Sequence, residues 1–278
     1  MSTGEQGGRD PQPIAPAKFG LKSALVIVAV GLLLAWAWTP SRPEEPVYQG
    51  KTLRVWLKAY AESESGSEVQ AESEAAIRSI GTNGIPTLLR LIQTPDSTFR
   101  TKLQALVEKQ PFIKFNFADA ERIRVMGVRG FKALGESTKG AVPDLLTLVK
   151  GGSGTVGREE AIYCLAHIGP SAQAAIPALL VIASDAKDQN RSDAFMVLGY
   201  IHASPESVVP FLTSRLRDPD EVVRLNAIRA LYRFGEAAKS AVPSLIALLT
   251  DPSEYMRERA TNALKLIDRE AATKAGIP

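Results

Sequence analysis

Arginine returns at a fixed interval in the C-terminal half of the chain: Arg158, Arg191, Arg224 and Arg257 each stand 33 residues after the one before. Three of them follow an aspartate by six residues, in the pairs Asp185–Arg191, Asp218–Arg224 and Asp251–Arg257, whereas the place before Arg158 is Gly152. A row of guanidinium groups can bind a repeating anion. Asp/Arg pairs at one point of stacked units more simply hydrogen-bond one unit to the next, and that structural ladder is the expected role. The two histidines, His167 and His202, have no acidic or cysteine neighbour at ligand spacing, and a metal site wants three or more ligands. The single cysteine, Cys164, lies between Tyr163 and Leu165 and reads as a small core residue. Neither a Gly-rich phosphate loop nor a nucleophile elbow occurs. The sequence predicts no catalytic, cofactor-binding or metal-binding residue, and no enzyme.

The elements that would position these residues follow from the same period. Ala161, Ala194, Ala227 and Ala260 share the register, as do Leu165, Leu198, Leu231 and Leu264; Pro177, Pro210 and Pro243 mark one point in three consecutive units. A period of this length signals stacked units, none of which can bury its apolar face alone. In the unit Asp218 to Thr250, Asp218-Pro219-Asp220-Glu221 opens a helix with a cap, a first-turn proline and acids at the positive dipole end. Val223, Ala227, Ile228, Leu231 and Phe234 then fall on one helical face, and Gly235 stops the helix. Pro243 starts a second helix, with Leu245, Ile246, Leu248 and Leu249 as its buried side. Two helices and a short connection, repeated, make an α-solenoid.

The runs Asp-Pro-x-Glu-Val-Val-Arg, Ala-Ile-x-Ala-Leu-x-x-Phe-Gly and Ala-Val-Pro-x-Leu-x-x-Leu-Leu-x-Asp resemble a HEAT repeat, of the short type also found in phycobilisome lyases. The resemblance covers residues 70–278. It implies an all-α fold, a right-handed α-solenoid of stacked HEAT-like helix pairs, and a partner-binding scaffold more than an activity. HEAT-like di-iron hydroxylases carry paired His-Glu motifs; here the pairs are His167-Ile168 and His202-Ala203, so that activity is not implied. No bilin-handling motif carries over from the lyases.

Ahead of the array, residues 1–18 read as a disordered cytoplasmic tail. Residues 19–38 are long and apolar enough to cross a bilayer, with Lys18 and Lys22 on one side and Trp36 and Trp38 on the other. The charge bias predicts a single-pass anchor with the N-terminus in the cytoplasm and the solenoid exported. The alternative is a cleaved signal segment ending at Ala35-Trp36-Ala37, giving a secreted or periplasmic protein. Residues 39–50, with Pro40, Pro43 and Pro46, form a stiff linker. Residues 51–69 hold a capping helix, Leu53, Trp56, Leu57 and Tyr60 on one face, and a polar loop. The solenoid occupies 70–278, and its last unit is expected to end on one helix, Glu254–Asp268.

From Pro86 to Pro143 is 57 residues, 24 more than one period. The excess predicts an extra helix, Phe99 to Gln110, and the segment Phe112–Phe117, whose rings are expected to pack that helix down. Residues 100–132 carry eight basic and three acidic side chains, a possible contact for an anionic envelope polymer. The net charge of +3 is near balance and argues against nucleic acid.

A protein partner of unknown identity is therefore expected. The resemblance places the second helices on the concave face. There the positions one and four past each proline are Thr87, Asp144, Ala178, Phe211 and Ser244, then Arg90, Thr147, Val181, Ser214 and Ala247. Phe211 with Ala178 and Val181 is the expected apolar patch, unless a register shift turns Phe211 inward and puts Arg215 on the surface. A lyase-like or enzyme-associated role is the alternative function.

Overall fold

The structure, a computed structural model, describes residues 44–96 and 119–278. The expected tail, membrane segment, extra helix and Phe112–Phe117 segment lie outside the described residues. Residues 45–278 form one compact unit. It opens with a two-residue hairpin, β1 (Val47–Tyr48) and β2 (Lys51–Thr52), that leads into α1 (Leu53–Glu62). Leu53, Trp56, Leu57 and Tyr60 are the buried residues of α1. Trp56 Nε1 donates to the Tyr48 carbonyl at 3.1 Å, which ties the helix to its hairpin.

Six helix pairs follow among the described residues: α2 (Glu68–Ile80) with α3 (Ile85–Ile92), α4 (Ala120–Leu134) with α5 (Val142–Lys150), α6 (Arg158–Ile168) with α7 (Ile176–Ser184), α8 (Arg191–Ile201) with α9 (Pro205–Arg215), α10 (Glu221–Phe234) with α11 (Val242–Ala247), and α12 (Glu254–Ile267) with α13 (Arg269–Lys274). The fold is thus mostly helical, a repeat solenoid. The first helices α4, α6, α8, α10 and α12 pack each on the next. The four register leucines and the four register alanines are all 0 % exposed, because each sits where one first helix meets its neighbours. One apolar core continues from Leu53 to Ile277. Arg158–Ser184 is apolar enough on average to cross a membrane, but it is α6 and α7 joined by a 3-10 turn with a non-helical Ala172 (φ −91, ψ 17).

Four first helices end on glycine. Gly81, Gly135, Gly169 and Gly235 take φ of 60, 55, 71 and 51 with ψ of −142, −134, −141 and −133, a region that costs a side chain dearly. The chain then runs through a 3-10 turn into a second helix with proline in its first turn. The unit of α8 and α9 departs from this. His202 stands at the glycine position and takes the left-handed helical conformation instead, φ 48 and ψ 40. The chain re-enters a helix at Pro205, so α9 absorbs the connector and Pro210 lies inside it rather than at its start.

Two further departures concern α11 and the end of the array. Ile246, expected to be buried, is 38 % exposed; its counterparts Leu146 and Leu180 are half-buried, so the position three past the proline lies at the edge of the buried face. The last unit does not end on one helix. After Asp268, whose side chain accepts from Ala271 N at 2.9 Å, α13 folds back and buries Ala272 and Ile277.

Candidate functional site

The arginine register builds a chain of contacts between repeats. Arg158 in α6 donates to Asp188 Oδ1 and Oδ2 at 2.9 and 2.7 Å, to Asn190 Oδ1 at 2.7 Å and to the Val149 carbonyl at 3.0 Å. Arg191 donates to Asp218 at 3.1 Å and to the Ala183 carbonyl at 3.2 Å. Arg224 holds the carbonyls of Asp218 and Pro219 at 2.9 and 3.1 Å; its Nε lies 3.7 Å from Asp251, an ion pair too long for a hydrogen bond. Arg257 holds the carbonyls of Asp251 and Pro252 at 2.7 and 3.0 Å. Each ion pair therefore joins an arginine to the aspartate of the following repeat, while the backbone contacts reach back, to the preceding second helix for Arg158 and Arg191 and to the connection just before the arginine's own helix for Arg224 and Arg257.

Asp185 is not a rung. The 185–190 connection places Asp188 against Arg158, and Asp185 instead accepts from Lys187 N at 2.9 Å on an exposed turn. The guanidinium of Arg158 holds the Asp188 carboxyl below the usual carboxylate range. These arginines are occupied by their own protein.

Of the apolar patch expected on the second helices, Val181 is exposed while Ala178 and Phe211 are half-buried. Phe211 is half-buried and stacks on the fully buried Phe195, ring centroids 5.7 Å apart, with the Arg215 guanidinium 5.0 Å above it. Helix α9 keeps the register of its neighbours, with Val209 and Leu212 buried as Ile176 and Leu179 are, so Phe211 falls at the edge of the buried face and its long ring reaches Phe195. Ala178 is half-buried, Val181 stands 71 % exposed, and Ser214 and Ala247 are exposed; Thr87 is buried. Beside Ser214, the depression lined by Pro210, Thr213, Arg217, Ser240 and Ser244 holds no aromatic side chain.

His167 is half-buried, and burial, aided by the charge of Lys132, lowers its pKa. His202 is exposed and lies 4.9 Å from the ring of Phe234 in the next repeat. Cys164 is 0 % exposed and its thiol is pushed well up by burial, which keeps it unreactive. Among the described residues no group of three His, Cys, Asp or Glu side chains is placed to hold a metal ion. Of the cations in the described part of the 100–132 segment, Arg124 is bound to Glu160, Asp96 and the Thr94 carbonyl, and Arg129 to the Ala61 carbonyl. Arg122 and Lys132 are exposed.

A further concavity lies on the first helices. A groove of about 830 Å³ crosses α8, α10 and α12. Its lining follows the 33-residue register: Asp193, Asn226 and Arg259; Met196, Arg229 and Asn262; Tyr200, Arg233 and Leu266, with Tyr232 and Lys265 beside them. The spacing of three and four residues within each helix puts these side chains on one face. The Arg233 guanidinium lies over the Tyr200 ring, 3.7 Å from its centroid. Arg259 lies 4.6 Å over the ring of Tyr255, and Arg229 donates to the Tyr255 hydroxyl at 3.0 Å. Among the described residues none of Arg229, Arg233, Arg259 and Lys265 forms an ion pair, and Arg259 Nε is buried without a partner. The one acid in the lining, Asp193, accepts from the Tyr163 hydroxyl at 2.8 Å. That bond and burial hold the Tyr163 hydroxyl far above its ordinary range. Sequence reasoning aimed at the second helices and missed this groove, although the three-fold register of its lining was there to be read.

A family model of HEAT repeats matches residues 176–265. No curated protein matches the chain. Among solved structures, a designed armadillo repeat protein in complex with the peptide (KR)4 is 17 % identical, with a TM-score of 0.45 over 78 % of this chain and 100 % of that one. The complex of CpcE and CpcF of phycocyanin lyase from Nostoc sp. PCC7120 is 19 % identical, with a TM-score of 0.42 over 85 % of each chain. An engineered protein is 18 % identical, with a TM-score of 0.42 over 81 % of this chain and 98 % of that one. At these scores and identities nothing about activity follows from the likenesses.

Proposed function

We propose that this protein is a binding scaffold: a right-handed solenoid, held to a membrane by residues 19–38 and exported, that receives another protein in the groove across α8, α10 and α12. One observation carries the reading. Three successive repeats present equivalent positions to one concavity, and among the described residues its cations have no carboxylate partner of their own. The guanidinium groups of the ladder, by contrast, are consumed between repeats. The role is binding rather than catalysis: the groove lining combines cations, amides, tyrosine rings and aliphatic side chains, and its one carboxylate accepts from the Tyr163 hydroxyl.

A photo-crosslinking residue at Tyr232, 45 % exposed in the groove, should trap a discrete protein in cells that make the chain; the same residue at Val181, on α7, should not. Crosslinks from Val181 alone, or from neither position, would remove the groove as the binding site. The anchor is tested separately. A reporter fused after Pro278 should be active only outside the cytoplasm, and the chain should stay with membranes after a high-salt wash. A mature protein beginning at Trp38 would replace the anchor with a cleaved signal and leave export standing.

A further inference from the structure

We infer that the occupant of the groove is an extended acidic segment of the partner protein, about six residues long, with carboxylates alternating with apolar side chains. The inference rests on the reading of the groove as a protein-binding site. Charge comes first: Arg229, Arg233, Arg259 and Lys265 face one concavity with no ion pair of their own among the described residues, and Asp193 is held by Tyr163. An arginine stacked by its face keeps the N–H donors around its rim free, which suits a carboxylate arriving edge-on. Arg233 is held 3.7 Å from the Tyr200 ring centroid and Arg259 4.6 Å from that of Tyr255, so part of the ordering cost is met before a ligand arrives.

Length and pattern follow from the helices. Packed first helices stand about 8–10 Å apart, so three of them span roughly 20 Å. An extended chain covers that span in about six residues at ~3.3 Å each. Successive side chains of such a segment point to opposite sides. Met196, Leu266 and the rings of Tyr200 and Tyr232 give apolar wall between the cations, matching a segment that alternates acid with apolar residue.

The neighbouring surface favours a short segment over a long phosphate polymer. Toward α6 the adjoining depression is lined by Asp96, Glu159, Glu160 and Asp193, and its cations Arg124 and Arg158 are already bound to carboxylates, which leaves Glu159 without an ion-pair partner among the described residues. A polyanion laid along the repeats would run onto that end; a six-residue segment stops before it.

The test uses the full chain in detergent and the fluorescein-labelled peptide Glu-Leu-Glu-Leu-Glu-Leu-Glu, followed by fluorescence anisotropy. Saturable binding should weaken at high salt. It should fall at least tenfold in Arg229→Glu/Arg233→Glu and several-fold in Lys265→Glu, and stay unchanged in Lys239→Glu, which lies on the α10–α11 connector. Circular dichroism confirms that each variant is folded. The matching Lys-Leu peptide should bind the doubly reversed variant better than it binds the unaltered chain. Equal binding of both peptides, or no effect of the groove substitutions, overturns the inference. So does heparin binding with the same dependence on Arg229 and Arg233, which would make the ligand a polyanion. A dimer in sedimentation that the double variant dissolves would point to the acidic loop Glu62–Glu68 of a second copy, and also overturns it. If Tyr232 crosslinks to a protein while no acidic peptide binds, this inference fails and the binding scaffold stands; if both experiments fail, both readings go.

Discussion

Arg158 grips Asp188 of the following repeat through two parallel bonds, Nη1 to Oδ1 at 2.9 Å and Nη2 to Oδ2 at 2.7 Å, with side chains only 6 % and 10 % exposed. Fork-on-fork geometry of this kind fixes orientation as well as distance. Along the chain the same relationship loosens, to a single 3.1 Å bond at Arg191–Asp218 and a 3.7 Å approach at Arg224–Asp251. The ladder is therefore graded, tightest at the 185–190 connection, where Asp188 takes the place of Asp185.

The gradient predicts unequal costs. Arg158→Ala leaves a nearly buried Asp188 and Asn190 without their partner and should destabilise by about 3–5 kcal/mol, as breaking a buried pair does. Arg224→Ala removes two carbonyl bonds and a long ion pair and should cost about 1–2 kcal/mol. Urea midpoints measure both. Equal losses would mean that the inter-repeat distance is irrelevant to stability.

Acid should loosen the same joint. The folded protein keeps Asp188 ionised, chiefly through its hydrogen bond from Arg158, at pH values where the unfolded chain would protonate it. Its contribution is thus complete above the ordinary aspartate value of about 3.9 and is lost as pH falls through the lower folded value. Asp188→Asn should lower the melting temperature at pH 6 and flatten its fall between pH 5 and pH 3. An unchanged slope in that window would show that Asp188 is not held down in the folded state.

Most of the fold could be read from the register, because burial repeats whenever a position meets the same neighbours. Leu198, Leu231 and Leu264 show this directly. The ladder partner of Arg158 was not readable, since a displacement within the 185–190 connection exchanges Asp185 for Asp188, and both carry the same side chain. The groove was harder for another reason. Periodicity tells which residues face the core, yet Arg191 and Arg229 look alike in sequence until the structure shows one spent on Asp218 and the other on the Tyr255 hydroxyl, with no acid among the described residues.

His202 gives a third prediction. At φ 48 and ψ 40 a side chain costs about 1 kcal/mol relative to glycine, and its ring contact with Phe234 offsets part of that. His202→Ala keeps the strained backbone and loses the contact, whereas His202→Gly loses the contact and relieves the backbone. The glycine variant should be the more stable of the two by about 1 kcal/mol in urea unfolding. Identical midpoints would mean that the backbone here is unstrained, and that the early start of α9 has another cause.

Phe211 decides which face of the array works. Its ring packs on Phe195 and is roofed by Arg215, so its removal opens a hole between α8 and α9 rather than stripping a contact surface. Being half-buried, it should cost about 2 kcal/mol on truncation, below the 3–5 kcal/mol of a fully buried phenylalanine. Phe211→Ala should therefore lower the urea midpoint while binding of the acidic peptide, measured well below that midpoint, stays the same. Arg233→Ala should do the reverse, since its side chain is exposed and lies over Tyr200 at the groove. If Phe211→Ala abolishes binding with no loss of stability, the second helices carry the site and the groove across α8, α10 and α12 does not.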